Sequence, residues 1–367
     1  MYNINIYLTK NFFKKGYFKL MKNILFFYKN AFSQTGGIQT FNKYFISALE
    51  GVGYNVNLVS LDDESSDIKS NLPFVSLEHK KLNAFKYILK HHKKYDTFIF
   101  SHINFAPLAI FLYILNRNAK IFFITHGIEV WKELPKTTQW IMNKSTILTV
   151  SNFSKNELKK YNSRLRDIKL FPNCIKLQNQ NIELKNPYDD NSFNILSVTR
   201  LSKSEQLKGI DSIIKTLPIL KDKIPNIKYN IIGKGEDTIR LKKLADELKV
   251  SKYVNFLGFV KDINEYYKYC DIFTLPSKKE GFGIVYLEAM QYKKPVVAVN
   301  YGGVTDVVID DKTGYLCSYN DINCLSEKIY NLYLNPKLRK RLGENGYRHL
   351  IDNFTFDLYA NRLKELL

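Results

Sequence analysis

Pro276-Ser277-Lys278-Lys279-Glu280-Gly281-Phe282-Gly283-Ile284-Val285-Tyr286-Leu287-Glu288 stands between two readable elements. The apolar run 272–275 before it reads as a buried parallel strand. Residues 284–291 after it, with Leu287, Glu288, Ala289 and Met290, read as a helix. Open α/β sheets place their ligands at the carboxyl ends of strands, which is where this stretch lies. Gly281 and Gly283 let backbone come close to a ligand, and the free amides of the helix start, near 283–285, suit an anion or sugar hydroxyls. Glu280 precedes the helix and Glu288 lies within it, about two turns' length of chain further on, so the pair can grip two parts of one long ligand. Taken alone, two carboxylates at a strand-to-helix junction fit an ordinary surface equally well.

Working outward, the same alternation repeats. Strand 193–198 leads to Thr199-Arg200-Leu201, and Lys208-Gly209 opens a helix over 210–221. Arg200 as a fork and Lys208 as a point charge are placed to flank a diphosphate. Strand 229–232 runs into Gly233-Lys234-Gly235-Glu236, strand 254–257 into Gly258-Phe259-Val260, and strand 295–299 into Gly302-Gly303-Val304-Thr305-Asp306. Thr238 stands where a dinucleotide fingerprint would need its third glycine. In the first half, strands are expected at 24–28, 54–60, 96–101, 120–125 and 146–150, with helices between them, which implies a parallel sheet. Gly36-Gly37 opens a helix over 38–50, a geometry that suits phosphate as well as a plain turn. His126-Gly127 follows strand 120–125, with Glu129 and Trp131 behind it as candidates for an acceptor side, and Ser151 begins an N-cap pattern.

The Glu280-x7-Glu288 pair, after Pro276-Ser277 and around Gly281-Phe282-Gly283, resembles the donor motif of the retaining nucleotide-sugar glycosyltransferases of the GT-4 family (glycosyl transferases group 1), which have the GT-B fold. Gly36-Gly37, His126-Gly127, Arg200 with Lys208-Gly209, and Gly302-Gly303 match the family in the right order over about residues 21–367. The resemblance implies an α/β protein of two Rossmann-like domains facing across a cleft. It implies sugar transfer from a nucleoside diphosphate sugar (UDP- or GDP-linked) to a hydroxyl acceptor, with no cofactor and no metal. Glu280, His126, Arg200 and Lys208 would take the catalytic roles. Gly36, Gly37, Gly233, Gly258, Phe259, Val260, Gly281, Phe282, Gly283, Ile284, Glu288, Gly302 and Gly303 would line the donor site, with Glu280 on the donor sugar, Glu288 on the ribose and the Gly302-Gly303 loop near the diphosphate. By the same resemblance the leaving phosphate itself would deprotonate the acceptor, expected to be a saccharide or a lipid-linked saccharide of cell-surface polysaccharide synthesis. Cys174 replaces the usual glycine of a Pro-Asn-Gly segment at Phe171-Pro172-Asn173, and Thr313-Gly314-Tyr315-Leu316 resembles a late turn.

The expected division is a leader at 1–20, a first domain at 21–175, a linker at 176–191, a donor domain at 192–355 and a C-terminal helix at 356–367 that crosses back to the first domain. The leader is open to three readings: a disordered segment, a misplaced start before Met21, or a weak membrane-surface segment. With 367 residues and a hydrophobic fraction of 45% the chain has the makings of two cores. Its net charge of +20 is uneven: residues 1–186 carry a net +15 and residues 187–367 a net +5. A basic half attracts polyanions, either nucleic acid or an anionic membrane surface. The alternatives are thus a basic nucleic-acid- or membrane-binding protein without catalysis, or a GT-B enzyme of other chemistry such as a phosphorylase or epimerase. No zinc-finger, RRM or helix-turn-helix cue supports nucleic acid, and none is expected as a partner.

The most basic segment, 79–95, puts Leu82, Phe85, Ile88 and Leu89 on one helical face, with Lys86, Lys90, Lys93 and Lys94 off it. Four apolar residues can serve the core or a lipid surface but not both, and core packing with the lysines attracting anions is the expectation. The apolar run 105–115 is too short to span a bilayer and reads as a core helix. The cysteines Cys174, Cys270, Cys317 and Cys324 form no CxxC pair and read as reduced thiols. A cytoplasmic enzyme, peripheral at the inner face of the cell membrane, is the location these features suggest.

Overall fold

A computed structural model describes residues 22–178, 183–189 and 191–367. The expected leader at 1–20 and part of the expected linker lie outside the described residues. Seven parallel strands make the first sheet: β1 Asn23–Tyr28, β2 Asn55–Ser60, β3 Phe74–Ser76, β4 Thr97–Phe100, β5 Lys120–Thr125, β6 Thr146–Thr149 and β7 Ile168–Leu170. Six more parallel strands make the second: β8 Phe193–Val198, β9 Ile227–Ile232, β10 Val254–Gly258, β11 Ile272–Thr274, β12 Val296–Val299 and β13 Gly314–Cys317. Their orders are β3-β2-β1-β4-β5-β6-β7 and β10-β9-β8-β11-β12-β13. Both are doubly wound Rossmann-like sheets, in which the order reverses at a switch point and leaves a crevice at the strands' carboxyl ends.

The central strands explain themselves. Leu25, Phe26, Phe27 and Tyr28 of β1 are wholly buried, because helices cover both faces of a parallel sheet. One face packs Phe26 and Tyr28 against Phe41 and Phe45 of helix Gly37–Glu50. The other packs Phe27 and Phe100 over helices Lys81–His91, Ala106–Leu115 and Lys136–Met142. The C-terminal helix Phe356–Leu366 lies against Gly37–Glu50, with Tyr359 meeting Phe171 at 4.5 Å and Phe41 at 6.0 Å between ring centres.

Three expectations need correction. Residues 314–317 are an edge strand paired with β12 rather than a turn, and the short edges β3 and β7 carry too little periodicity to be read from sequence. Cys317 and Cys324 form a disulfide with Cα atoms 5.9 Å apart, so only Cys174 and Cys270 are free thiols. A strand end and the start of helix Ile322–Leu334 bring this pair together, which CxxC spacing cannot reveal. In helix Lys81–His91 the expected stripe divides: Ile88 and Ala84 are buried, while Leu82 and Leu89 face solvent. No helix of the described residues is long and apolar enough to cross a membrane.

Candidate active site between the two sheets

The two switch points face one another. In the first domain the reversal lies between β1 and β4, and in the second between β8 and β11. The loops after β1, β8 and β11, together with the turn after β5, line a cavity of about 640 Å³ between the domains. That volume is within the range of small-molecule sites. His126, Arg200, Lys208, Glu280, Gly281, Phe282, Gly283, Ile284 and Gly37 all line it, together with Gln39, Glu129, Lys132 and Asn173. Residues as far apart in sequence as Gly37 and Ile284 are thus brought onto one cavity by two sheets built alike.

On the second-domain wall, Lys208 Nζ donates to Glu280 Oε2 at 2.7 Å, with both side chains about one-fifth exposed. This half-buried pair fixes the Glu280 carboxylate and leaves its other oxygen for a ligand hydroxyl. Arg200 is exposed and reaches Glu205 Oε1 at 2.7 Å. Its guanidinium also approaches the first domain, since a Cβ on Gly36 would lie 3.8 Å from Nη1. Gly283 precedes helix Ile284–Gln291 and has no side chain to cap it; Tyr286 N bonds Gly283 O at 3.1 Å, and Gly283 and Ile284, at the helix start, line the cavity.

The first-domain wall is set by His126. Its Nε2 donates to the Ser101 carbonyl at 2.7 Å, which puts the ring proton on that nitrogen and leaves Nδ1 as an acceptor. Burial pushes its pKa below the ordinary histidine value, against an opposing pull from Glu129. The imidazole is therefore neutral near pH 7. Glu129 accepts the His126 backbone amide and lines the cavity itself.

The domains touch at this point. A Cβ on Gly281 would lie 1.8 Å from the His126 carbonyl oxygen, so only a glycine lets the donor-motif loop meet the His126-Gly127 turn. Around this contact runs a polar and aromatic seam. The Asp306 carboxylate accepts from Asn152 N at 2.9 Å, Asn152 Nδ2 at 2.8 Å and Phe153 N at 3.2 Å. It thus caps helix Asn152–Tyr161 of the first domain from the second. Trp131 meets Phe153 at 5.0 Å and Tyr301 at 6.1 Å between ring centres, and its Nε1 donates to Ser154 Oγ.

Several expected donor residues lie off the cavity. Glu288 is half-buried behind it, accepting the Tyr267 hydroxyl at 2.8 Å, and burial pushes its carboxyl pKa up. Gly303 spends its amide on the Glu280 carbonyl at 2.7 Å, and a Cβ there would lie 1.9 Å from Gly281 O. The Gly302-Gly303 loop therefore buttresses Glu280 from behind. Gly233 N bonds Gly258 O at 2.8 Å, and Lys234 sits over the exposed Phe259 ring, so Gly233, Gly258, Phe259 and Val260 gather as a separate group at the ends of β9 and β10. Nothing in the sequence singles out Asp63. Wholly buried, it accepts from Ala31 N, Phe32 N, Ser33 N and Ser33 Oγ, and so shapes the loop that leads to Gly36-Gly37. Among the described residues no group of three or more His, Cys, Asp or Glu side chains converges as a metal site would require.

Residues 178–349 match the family described as glycosyl transferases group 1. A GDP-mannose-dependent α-(1-6)-phosphatidylinositol monomannoside mannosyltransferase of Mycolicibacterium smegmatis is 31% identical over 179 residues, 46% of this chain and 47% of that protein. The chain spans about half the length of the curated relatives it matches first. The crystal structure of a glycosyltransferase from Rickettsia africae superposes with a TM-score of 0.82 at 20% identity, covering 95% of this chain and 98% of that one. Anabaena HepE, solved with UDP and glucose, superposes with a TM-score of 0.77 at 19% identity over 94% and 99%. The architecture is thereby the GT-B fold.

Proposed function

We propose, from the match of residues 178–349 to the family described as glycosyl transferases group 1, that this protein is a retaining hexosyltransferase. It would move a sugar from a nucleoside diphosphate sugar to a hydroxyl of a saccharide acceptor. The observation that carries this reading is the Lys208–Glu280 pair at 2.7 Å, set between Arg200 and the uncapped helix start at Gly283, in one cavity with His126.

The chemistry follows from charge. Breaking the anomeric bond leaves a diphosphate on which negative charge grows. Arg200, Lys208 and the amides at Gly283 and Ile284 form a fixed positive lobe that meets this charge without reorganising. The reading therefore needs no metal ion. Glu280, held by Lys208, accepts hydrogen bonds from donor-sugar hydroxyls, and neutral His126 faces the same sugar from the other domain. The leaving phosphate oxygen takes the acceptor's proton, so no separate base is assigned. Closure of the two domains at Gly281 excludes water, which would otherwise compete with the acceptor.

A lipid-linked saccharide, used in building cell-surface polysaccharide at the cytoplasmic membrane face, is the acceptor class this reading favours. Support comes from the basic first domain and from relatives named for phosphatidylinositol-mannoside and capsular-polysaccharide synthesis. The test is a thermal-shift screen of UDP- and GDP-sugars followed by transfer assays. A true donor raises the melting temperature by binding only the folded protein, and Glu280→Gln lowers transfer about a hundredfold or more. A protein shifted by no nucleotide sugar, or a Glu280→Gln variant with the wild-type rate, would remove the basis for the proposal.

A further inference from the structure

Helices Lys81–His91, Ala106–Leu115 and Lys136–Met142 pack side by side on the face of the first sheet opposite Gly37–Glu50. The core beneath them contains no residue beyond Ile168, so this layer owes nothing to the second domain. Its outer side presents large apolar groups to solvent: Leu82 is 74% exposed, Leu89 57%, Ile114 66% and Trp140 44%. Single exposed apolar residues are ordinary. Four on three adjacent helices, with a tryptophan among them, form a pattern.

The arrangement on the first helix is the telling part. Leu82 and Leu89 are seven residues apart and project within about 20° of one another around the helix axis. Lys86 falls between them on the same side. Segment 80–94 holds six lysines and no aspartate or glutamate, which leaves the surface charge there unopposed. Lys80 pairs with Glu78, but Lys86, Lys90, Lys93 and Lys94 are exposed and none is in an ion pair among the described residues. Lys136 and Lys144 add exposed charge beside Trp140.

We infer that this three-helix layer is a docking face for an anionic lipid surface. Leu82, Leu89, Ile114 and Trp140 enter the boundary between headgroups and acyl chains, and the lysines engage the headgroups. Nucleic acid would satisfy the lysines alone. Phosphate contacts gain nothing from leucines seven residues apart, whereas a lipid boundary takes both. The inference rests on the glycosyl-transfer reading only for its purpose, which is to hold the cleft beside a lipid-linked acceptor. Binding itself needs no donor.

The experiment is sedimentation of the full chain with phosphatidylcholine vesicles, with and without phosphatidylglycerol, at physiological salt and with no nucleotide present. Duplex DNA retardation is run in parallel. The expected result is sedimentation with the anionic vesicles only. Leu82→Ser with Leu89→Ser lowers partitioning about tenfold or more, and each of Lys86→Gln and Lys90→Gln lowers it about fivefold. Trp140 fluorescence shifts to the blue on binding, and Trp140→Phe abolishes that shift. All these positions are exposed, so unchanged melting temperatures show that the variants remain folded. Absence of sedimentation overturns the inference. So does sedimentation indifferent to the leucines, or tighter binding to DNA, either of which would mark a general polyanion surface. Vesicle binding by a protein that binds no nucleotide sugar would sink the enzymatic reading and leave this one standing.

Discussion

Gly281→Ala separates the two domains' contributions more cleanly than removal of a charged group. The added Cβ would lie 1.8 Å from the His126 carbonyl oxygen, and real Cβ contacts essentially never fall below 3.0 Å. Relief therefore needs the seam to part by about 1.2 Å or more, since folded interiors have no slack to absorb it. The obstructing atom belongs to the other domain, so a small rigid-body opening removes the clash without disturbing either core. A misplacement of about 1 Å costs about a hundredfold in rate where reacting groups must be aligned. The expected outcome is a fall of about that size in kcat, with donor affinity nearly kept and the melting temperature within the change of an ordinary surface substitution. Small-angle scattering with donor bound should show a larger radius of gyration than wild type. Gly303→Ala is the control. Its Cβ would lie 1.9 Å from Gly281 O and 2.8 Å from Phe282 Cα, inside one domain. No domain motion relieves that, so a loss of about 1–3 kcal/mol is expected in denaturant unfolding. A Gly281→Ala enzyme with wild-type kcat would refute the claim that closure at this contact completes the site.

Two further outcomes follow from the geometry. Asp306→Ala removes the cap that the second domain places on helix Asn152–Tyr161. It should cost about 1 kcal/mol of interdomain stability and shift scattering toward open forms, while leaving nucleotide affinity unchanged in calorimetry. Glu288 has its carboxyl pKa raised by burial from 4.5, so between that value and the raised one the folded state binds more protons than the unfolded. Stability then falls as pH rises through this window. Glu288→Gln keeps an acceptor for the Tyr267 hydroxyl and should flatten that fall, with a melting temperature at pH 7 no lower than wild type.

Much of the fold was legible because parallel strands buried on both faces write continuous apolar runs. The stretches at β1, β5, β8 and β12 announce themselves, and a glycine or charged turn follows each. The edge strands β3 and β7 are three residues long and half exposed, which leaves no pattern to read. Side chains on loops at the strands' carboxyl ends were also legible as a group: Arg200, Lys208, His126 and Glu280 lie together on one cavity. Positions whose role depends on backbone were not. Gly302-Gly303 reads as a ligand loop, yet the Gly303 amide is taken by the Glu280 carbonyl. Asp63 lies in an acidic run that looks like any solvated loop, and only the fold turns it inward onto Ala31, Phe32 and Ser33. The Cys317–Cys324 disulfide and the exposure of Leu82 and Leu89 depend likewise on tertiary placement.

Calorimetric titration of UDP and of GDP into the wild type and into an Arg200→Ala, Lys208→Ala variant tests the central claim most directly. The account predicts that one of the two nucleotides binds the wild type and that its affinity falls about tenfold or more in the variant, because two charge-assisted contacts to the diphosphate are lost. A wild type that binds neither nucleotide, or a variant that binds as tightly as wild type, would contradict it.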